Sequence, residues 1–481
     1  MKCLNMFSIL LLLTGMTFGF TGTNRDALQP LPLHHIQLEG YIGEKIDLCI
    51  QNRIMAQDVD YLVEPFRHKD ENRWWQTEFW GKWFKSAAAA YEYTRDPELK
   101  QMLDKAVDKL LATQTPEGYI GNYAKDSRLA YWDIWGRKYS LLGLLAYHDI
   151  TGDEKTLTAA RRLADHLLTE VGPGKANIVK TGNYRGMPSS SILEPIVLLY
   201  RRTGDARYLE FAEYIVRQWE TQEGPQLISK ALDGVPVAER FPPPERWWSW
   251  ENGQKAYEMM SCYEGLLELY RVTGNQTYLE AIKTTIHNIV DTELTLAGSG
   301  ASMECWYHGK KRQTEPALHM METCVTMTWM KLCRNMLLLT QDPQYADWIE
   351  QSGYNALLGA MTLSGDEFAK YSPLVGTRQL GKGQCNMNIN CCTANGPRGV
   401  MLLPRTAYMQ NENGPVVNLY GESQAVYELK SGKLTLLQQS DYPVSGAIHI
   451  DLQMEKDAEF TLSLRIPAWS KHTEVLVNDV R

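Results

Sequence analysis

The stretch Tyr147-His148-Asp149-Ile150-Thr151-Gly152-Asp153 reads as the end of one helix and the start of the next. Glycine suits the left-handed residue that closes a helix, and aspartate caps the one that follows. The phrase recurs at Tyr91–Asp96, Tyr200–Asp205 and Tyr270–Asn275, and more weakly at Leu339–Asp342, with amphipathic runs on either side. Its threonines, Thr94, Thr151, Thr203, Thr273 and Thr340, recur at roughly 50 to 70 residues, one helical hairpin per interval. Five or six hairpins fit before residue 410. Long loops at 172–191, 222–252 and 297–321 favour a closed toroid over an open solenoid, so the expected fold is mainly α, an (α/α)6 barrel.

Beyond Gly414 the period changes. Val416 to Leu419, Ala425 to Leu429, Leu434 to Leu437, Ile448 to Leu452 and the alternating Phe460, Leu462, Leu464 and Ile466 read as strands of a β-sandwich, with turn residues between them. The expected partition is a secretory signal over 1–22, the barrel over 23–412 and an incomplete sandwich over 413–481. Leu33 to Ile42 also reads as strand and is expected to add one to the sandwich.

A net charge of -8 with dispersed Lys and Arg leaves no basic stripe for nucleic acid or an anionic membrane. Residues 1–22 combine Lys2, an apolar run from Met6 through Leu13 and small residues near a cut, which predicts export to a periplasm. That run is too short to span a bilayer. Of the nine cysteines, Cys3 falls in this leader, and the other eight would suit disulfides in an oxidising compartment. The grouping Glu322-Thr323-Cys324 with Cys391-Cys392 points instead to a metal, because adjacent cysteines rarely bridge each other.

Residues i and i+2 lie on different sides of a helix, so Glu322 and Cys324 share an ion only at a helix start, and the helical run from Val325 to Leu339 follows them. Pro397 is expected in the first turn of a helix just after the cysteine pair. Three thiolates and a carboxylate favour Zn²⁺ over Ca²⁺ or Mg²⁺. Spacing alone leaves a catalytic zinc, a structural zinc and a disulfide network open.

Glu322-Thr-Cys324 and Cys391-Cys392-Thr-Ala-Asn-Gly-Pro-Arg398, with Leu464-Arg-Ile-Pro-Ala-Trp469 downstream, resemble glycoside hydrolase family 127, the β-L-arabinofuranosidases. The resemblance covers most of the mature chain. It implies an (α/α)6 barrel with a β-sandwich, and exo-acting, retaining hydrolysis by a zinc-bound cysteine. Carried over by motif, Cys391 is the nucleophile and Glu322, Cys324, Cys391 and Cys392 are the ligands. Glu304, after Gly298-Ser-Gly-Ala-Ser-Met, matches the acid/base best, with Glu315 in reserve.

Three positions where the family holds sugar hydroxyls with histidine carry Gly136, Met187 and Gln254. The sugar is therefore expected to be an L-arabinofuranoside or a related, carboxylated pectic furanoside. Arg137, Lys138, Arg185, Gln254 and Lys255 are the candidates to meet a carboxylate, Trp135 and Trp248 to stack on the ring, and Glu78 and Met187 to line the pocket. Two alternatives stand beside this one. The first is a carbohydrate-binding protein with a structural zinc. The second is a lyase or uronide hydrolase on the same barrel, working through Asp133 or His148.

Overall fold

A computed structural model describes residues 26–241, 254–315, 319–478 and 480, so the leader expected over 1–22 lies outside the described residues. Six helices form an inner ring: α3 (Glu78–Thr94), α5 (Asp133–Thr151), α7 (Leu193–Thr203), α9 (Ala256–Thr273), α11 (Thr323–Thr340) and α13 (Cys391–Val400). Each packs on the next, and α13 returns to α3, which closes the barrel. Outer helices α4 (Pro97–Leu111), α6 (Glu154–Glu170), α8 (Ala206–Trp219), α10 (Gln276–Thr292) and α12 (Gln344–Gln351) each pack on the inner helix that precedes them. The N-terminal helices fill the remaining outer places: α1 (Gly40–Cys49) lies against α13, and α2 (Val59–Arg67) against α3 and α4.

The repeated phrase is a hydrogen-bonded turn. Each of its threonines donates to the carbonyl four residues back, as Thr151 does to Tyr147 at 2.8 Å. The same hydroxyl accepts the N–H of the residue two positions on, so it ties the end of one helix to the cap of the next. Gly152, Gly204 and Gly274 take the left-handed conformation between them, and Arg95 and Gln341 adopt it at the other two turns. Asp96, Asp153, Asp205 and Asn275 then cap α4, α6, α8 and α10, each worth about 1 kcal/mol.

The sandwich has two four-stranded sheets, and the N-terminus supplies a strand to each. One sheet runs in the order β1 (Gln29–Pro30), β5 (Tyr408–Asn411), β6 (Gly414–Val417) and β10 (Ser463–Leu464). The other runs β2 (Ile36–Leu38), β7 (Ser423–Leu429), β8 (Gly432–Gln439) and β9 (His449–Met454). A small hairpin, β3 (Ala369–Tyr371) with β4 (Gln379–Leu380), belongs to the barrel mouth. Ala425, Tyr427, Leu434 and Leu436 point inward from β7 and β8, which are paired Ala425 to Leu436.

Three local expectations are corrected. The segment 33–42 is extended only over Ile36–Leu38; from Gly40 it is helical, because Ile42, Ile46 and Cys49 recur on one buried face. β5 begins ahead of the boundary expected at 412. The alternating run from Phe460 to Ile466 forms strand only at Ser463–Leu464, where it pairs parallel to β6. Among the described residues no helix is long and apolar enough to cross a membrane.

Candidate metal centre and pocket

Two helix starts meet at the barrel mouth. Glu322 is the N-cap residue of α11, with non-helical backbone at φ -57° and ψ 132°, and Cys324 sits in its first turn. That break in helical geometry lets residues two apart face one point. Cys391 and Cys392 open α13 behind Asn390, whose side chain accepts the N–H groups of Cys392 and Thr393, both at 3.0 Å. The helix therefore starts at the cysteine pair and not near Pro397. Pro397 lies inside it, and the strong Asn390 cap decides the start.

The four donor atoms lie within 4.8 Å of one another, all on buried residues, and form a cluster able to hold a metal ion. Cys324 Sγ is 3.6 Å from Cys392 Sγ, which is 3.9 Å from Cys391 Sγ, and Glu322 Oε1 is 3.5 Å from both Cys391 and Cys392 sulfurs. These separations are far beyond a disulfide bond of about 2.05 Å, and the eight described cysteines are all free. Hydrogen bonds from Cys324 and Cys392 draw the Cys391 thiol well below its ordinary range, with Lys370 and Lys82 adding to them against burial. Burial pushes Cys324, Cys392 and Glu322 up.

A rim of linked contacts leaves the cluster and returns to it. Gln384 Oε1 accepts Cys391 N–H at 2.9 Å and Trp75 Nε1–H at 3.5 Å. Trp75 packs on Trp132 with centroids 5.6 Å apart, and Trp132 lies 6.2 Å from Tyr184. The Lys255 ammonium sits 5.3 Å from the Tyr184 centroid and pairs with Glu304. Glu304 Oε1 also meets Lys370 Nζ at 3.1 Å and accepts the Tyr371 hydroxyl at 3.2 Å. The circle ends where the Lys370 carbonyl lies 3.8 Å from Cys392 Sγ.

Inside the rim, Trp135 stands edge-on to Tyr257 and Tyr139 and donates its indole N–H to Glu78. Lys82 pairs with Glu78 at 2.7 Å beneath the faces of Trp135, Tyr139 and Tyr257, 5.8, 5.2 and 4.9 Å from their centroids. Burial pushes Glu78 up to about 7. Burial also raises Glu304, but the Lys255 and Lys370 ammonium groups outweigh it and leave Glu304 below its usual range.

The structure brings Glu78, Trp135 and Glu304 together with the four-residue cluster. It places Glu315 at the surface, paired with Arg312. Arg137 is a correction: its guanidinium is fully buried between α5 and α6, held by Asp133 and Glu170, so its charge serves helix packing. Asp133 is committed to the same pair, and His148 stands at the far end of α5 beside Glu154, so neither reaches the pocket. Lys138 is likewise corrected; it lies buried below the floor beside Trp135, in a space also lined by Glu194, Glu264 and Lys331.

Met187 is wholly buried, and its carbonyl accepts the Cys262 thiol. Gln254 donates to the Phe241 carbonyl, and Arg185 binds the Gly224 carbonyl beside the Phe241 ring. Trp248 lies outside the described residues. Gly136 has a steric cause: a Cβ there would stand 2.1 Å from Thr77 Oγ1, so a side chain enters only if Thr77 shifts. Sequence reasoning missed Lys82, Tyr139, Tyr257, Lys370, Tyr371 and Gln384. Lys82 carried a signal, one helical turn after Glu78; the residues of the 369–380 hairpin and the loop after it carried none.

Residues 41–405 match the family described as the β-L-arabinofuranosidase, GH127 catalytic domain, and 415–481 match its middle domain. A curated non-reducing end β-L-arabinofuranosidase from Bifidobacterium longum subsp. longum is 25% identical over 435 residues, which cover 82% of this chain and 65% of that protein. The chain thus spans about two thirds of the length of that relative. The fold is shared with a solved GH127 β-arabinofuranosidase (TM-score 0.72, 21% identity, 92% of this chain and 72% of the other). It is also shared with a GH127 β-L-arabinofuranosidase from Geobacillus stearothermophilus T6 (TM-score 0.69, 23% identity, 91% and 75%).

Proposed function

This chain belongs to glycoside hydrolase family 127, the β-L-arabinofuranosidase family, and we propose that it is an exo-acting, retaining glycoside hydrolase with Cys391 as nucleophile and Glu304 as acid/base. The observation that carries this reading is the spacing of the four donors. A tetrahedral Zn²⁺ with bonds of about 2.3 Å to sulfur and 2.0 Å to oxygen needs edges of about 3.8 and 3.5 Å. Four of the six edges, the sulfur–sulfur distances of 3.6 and 3.9 Å and the two sulfur–oxygen distances of 3.5 Å, fit that ion, and the other two are within 4.8 Å. Bound by Glu322, Cys324, Cys391 and Cys392, zinc would keep the sulfurs deprotonated and fixed in place.

The chain's own groups then do the chemistry. The Cys391 sulfur attacks the anomeric carbon as the glycosidic C–O bond breaks, and Glu304 gives its proton to the departing oxygen. In the second half Glu304 takes a proton from water, whose oxygen attacks the same carbon and releases the sulfur. Two inversions give net retention. Lys255 and Lys370, which hold Glu304 ionised, favour its second role and set the pH at which the first can run. Glu78, Lys82 and Trp135, buried and bonded to one another beside the cluster, support a site that takes one terminal sugar at a time.

The sugar is an L-arabinofuranoside or a related, carboxylated pectic furanoside, and comparing hydrolysis of neutral and acidic furanosides separates the two. With Arg137 and Lys138 committed elsewhere, Lys255 and Lys370 are the cations left at the rim to meet a carboxylate. The reading includes export to a periplasm, which cell fractionation checks; retention of the chain in the cytoplasm contradicts it.

Cys391→Ser tests the reading. It predicts a loss of turnover of at least about 10³-fold with the sugar still bound. Metal content measured in parallel should be close to one zinc per chain in the wild type. Turnover that survives Cys391→Ser, or a wild-type chain that binds sugar and never turns it over, defeats the proposal.

A further inference from the structure

Where the barrel meets the sandwich lies a second cleft, of about 500 Å³, which shares no residue with the rim or the metal cluster. Its walls carry four tyrosines from separate parts of the chain: Tyr41 on α1, Tyr354 after α12, Tyr420 before β7 and Tyr442 between β8 and β9. Tyr41 and Tyr354 lie nearly parallel, 10° apart with centroids 6.3 Å apart, and Tyr41 is 48% exposed. Tyr442 stands across Tyr354 at 68° and 6.0 Å.

This arrangement is held from behind. The Tyr442 hydroxyl donates to Glu350 Oε1, which Arg465 Nη2 also binds at 2.9 Å, and the ring stacks on Trp469. Fixed rings lose little freedom when a ligand settles on them. Three exposed carboxylates, Glu39, Glu422 and Asp441, line the same cleft, and none forms an ion pair among the described residues.

Tyrosine faces beside hydroxyl-accepting carboxylates are the chemistry that holds a sugar ring, whose C–H face packs on the aromatic and whose hydroxyls donate at its edge. The volume suits one or two sugar units. Three carboxylates against one ammonium, that of Lys45 at 5.6 Å from the Tyr41 centroid, leave net negative charge at the mouth, which repels uronate and phosphate. We propose that this cleft is a second carbohydrate-binding site that takes neutral sugar units of a polysaccharide. It stands independently of the assignment of Cys391 and Glu304.

The test is electrophoresis of the full chain through native gels containing arabinan, galactan or polygalacturonate, which needs no turnover. At least one neutral polymer should slow the wild type, and polygalacturonate should not. Tyr41→Ala, at an exposed position, should weaken that retardation at least about threefold. Asp441→Asn, which leaves the rings intact, should weaken it as well. The proposal is overturned by any of three results: no neutral polymer slows the wild type, both variants migrate like it, or polygalacturonate slows it as strongly. A change of mass in Tyr41→Ala by light scattering, without loss of glycan binding, marks an interface between copies and also overturns it.

Discussion

Glu304 is held between two ammonium groups, and that fixes how its chemistry should depend on pH. Burial raises its pKa, and Lys255 and Lys370 together bring it below the ordinary carboxylate range. Removing one cation must raise it, so the protonated, acid form persists to higher pH. Lys255→Gln should therefore move the alkaline limb of kcat/KM upward, and a limb that stays or moves down would remove Glu304 from the acid role. Glu304→Gln should lower kcat by about 10²- to 10⁴-fold, whereas Glu315→Gln should leave it unchanged. The four residues of the cluster were legible one by one because their motif is local, two short phrases at helix starts. The residues expected to meet the sugar were less legible: Arg137 and Lys138 show their charge in the sequence but not the buried acids beside them, which keep them from the site.

At the scale of elements, the caps and anchors of two segments hold the groups proposed to react. Asn390 caps α13 at Cys391, so Asn390→Ala should cost about 1 kcal/mol in thermal unfolding and speed loss of the metal to a chelator. Unchanged metal retention would show that the cap does not position the cysteines. Glu293 accepts the N–H groups of Tyr307, His308 and Gly309 at 2.9 to 3.1 Å and so ties down the loop that carries Glu304. Glu293→Ala leaves two buried donors and one half-buried donor unmet and should cost about 3 kcal/mol and reduce kcat, with stability read by denaturant unfolding. The hairpin turns were readable because threonine, a left-handed residue and a capping aspartate act within a few residues of one another. The start of α13 was not legible from Pro397, because the side-chain cap of Asn390 sets it and the proline sits within the helix.

For the whole molecule, closure joins chain ends that sequence periodicity cannot connect. α13 seals against α3 and is covered by α1, and the N-terminal β1 and β2 join sheets formed mainly by the C-terminal part. The helical repeats made the barrel legible, but those long-range pairings depend on packing between distant elements. The metal cluster links α11 to α13 within the ring, so a bound ion should stabilise the closed barrel. Chelation should lower the midpoint of thermal unfolding and added zinc should restore it; an unchanged midpoint, with the metal shown to be gone, would mean the cluster does not brace the barrel. The most direct test of the central claim is to treat the chain with a furanose-shaped electrophile and map the adduct by mass spectrometry. The account predicts one covalent sugar adduct, on Cys391, formed as activity is lost; an adduct on Glu304 or Glu322, with Cys391 unmodified in the inactivated chain, would contradict it.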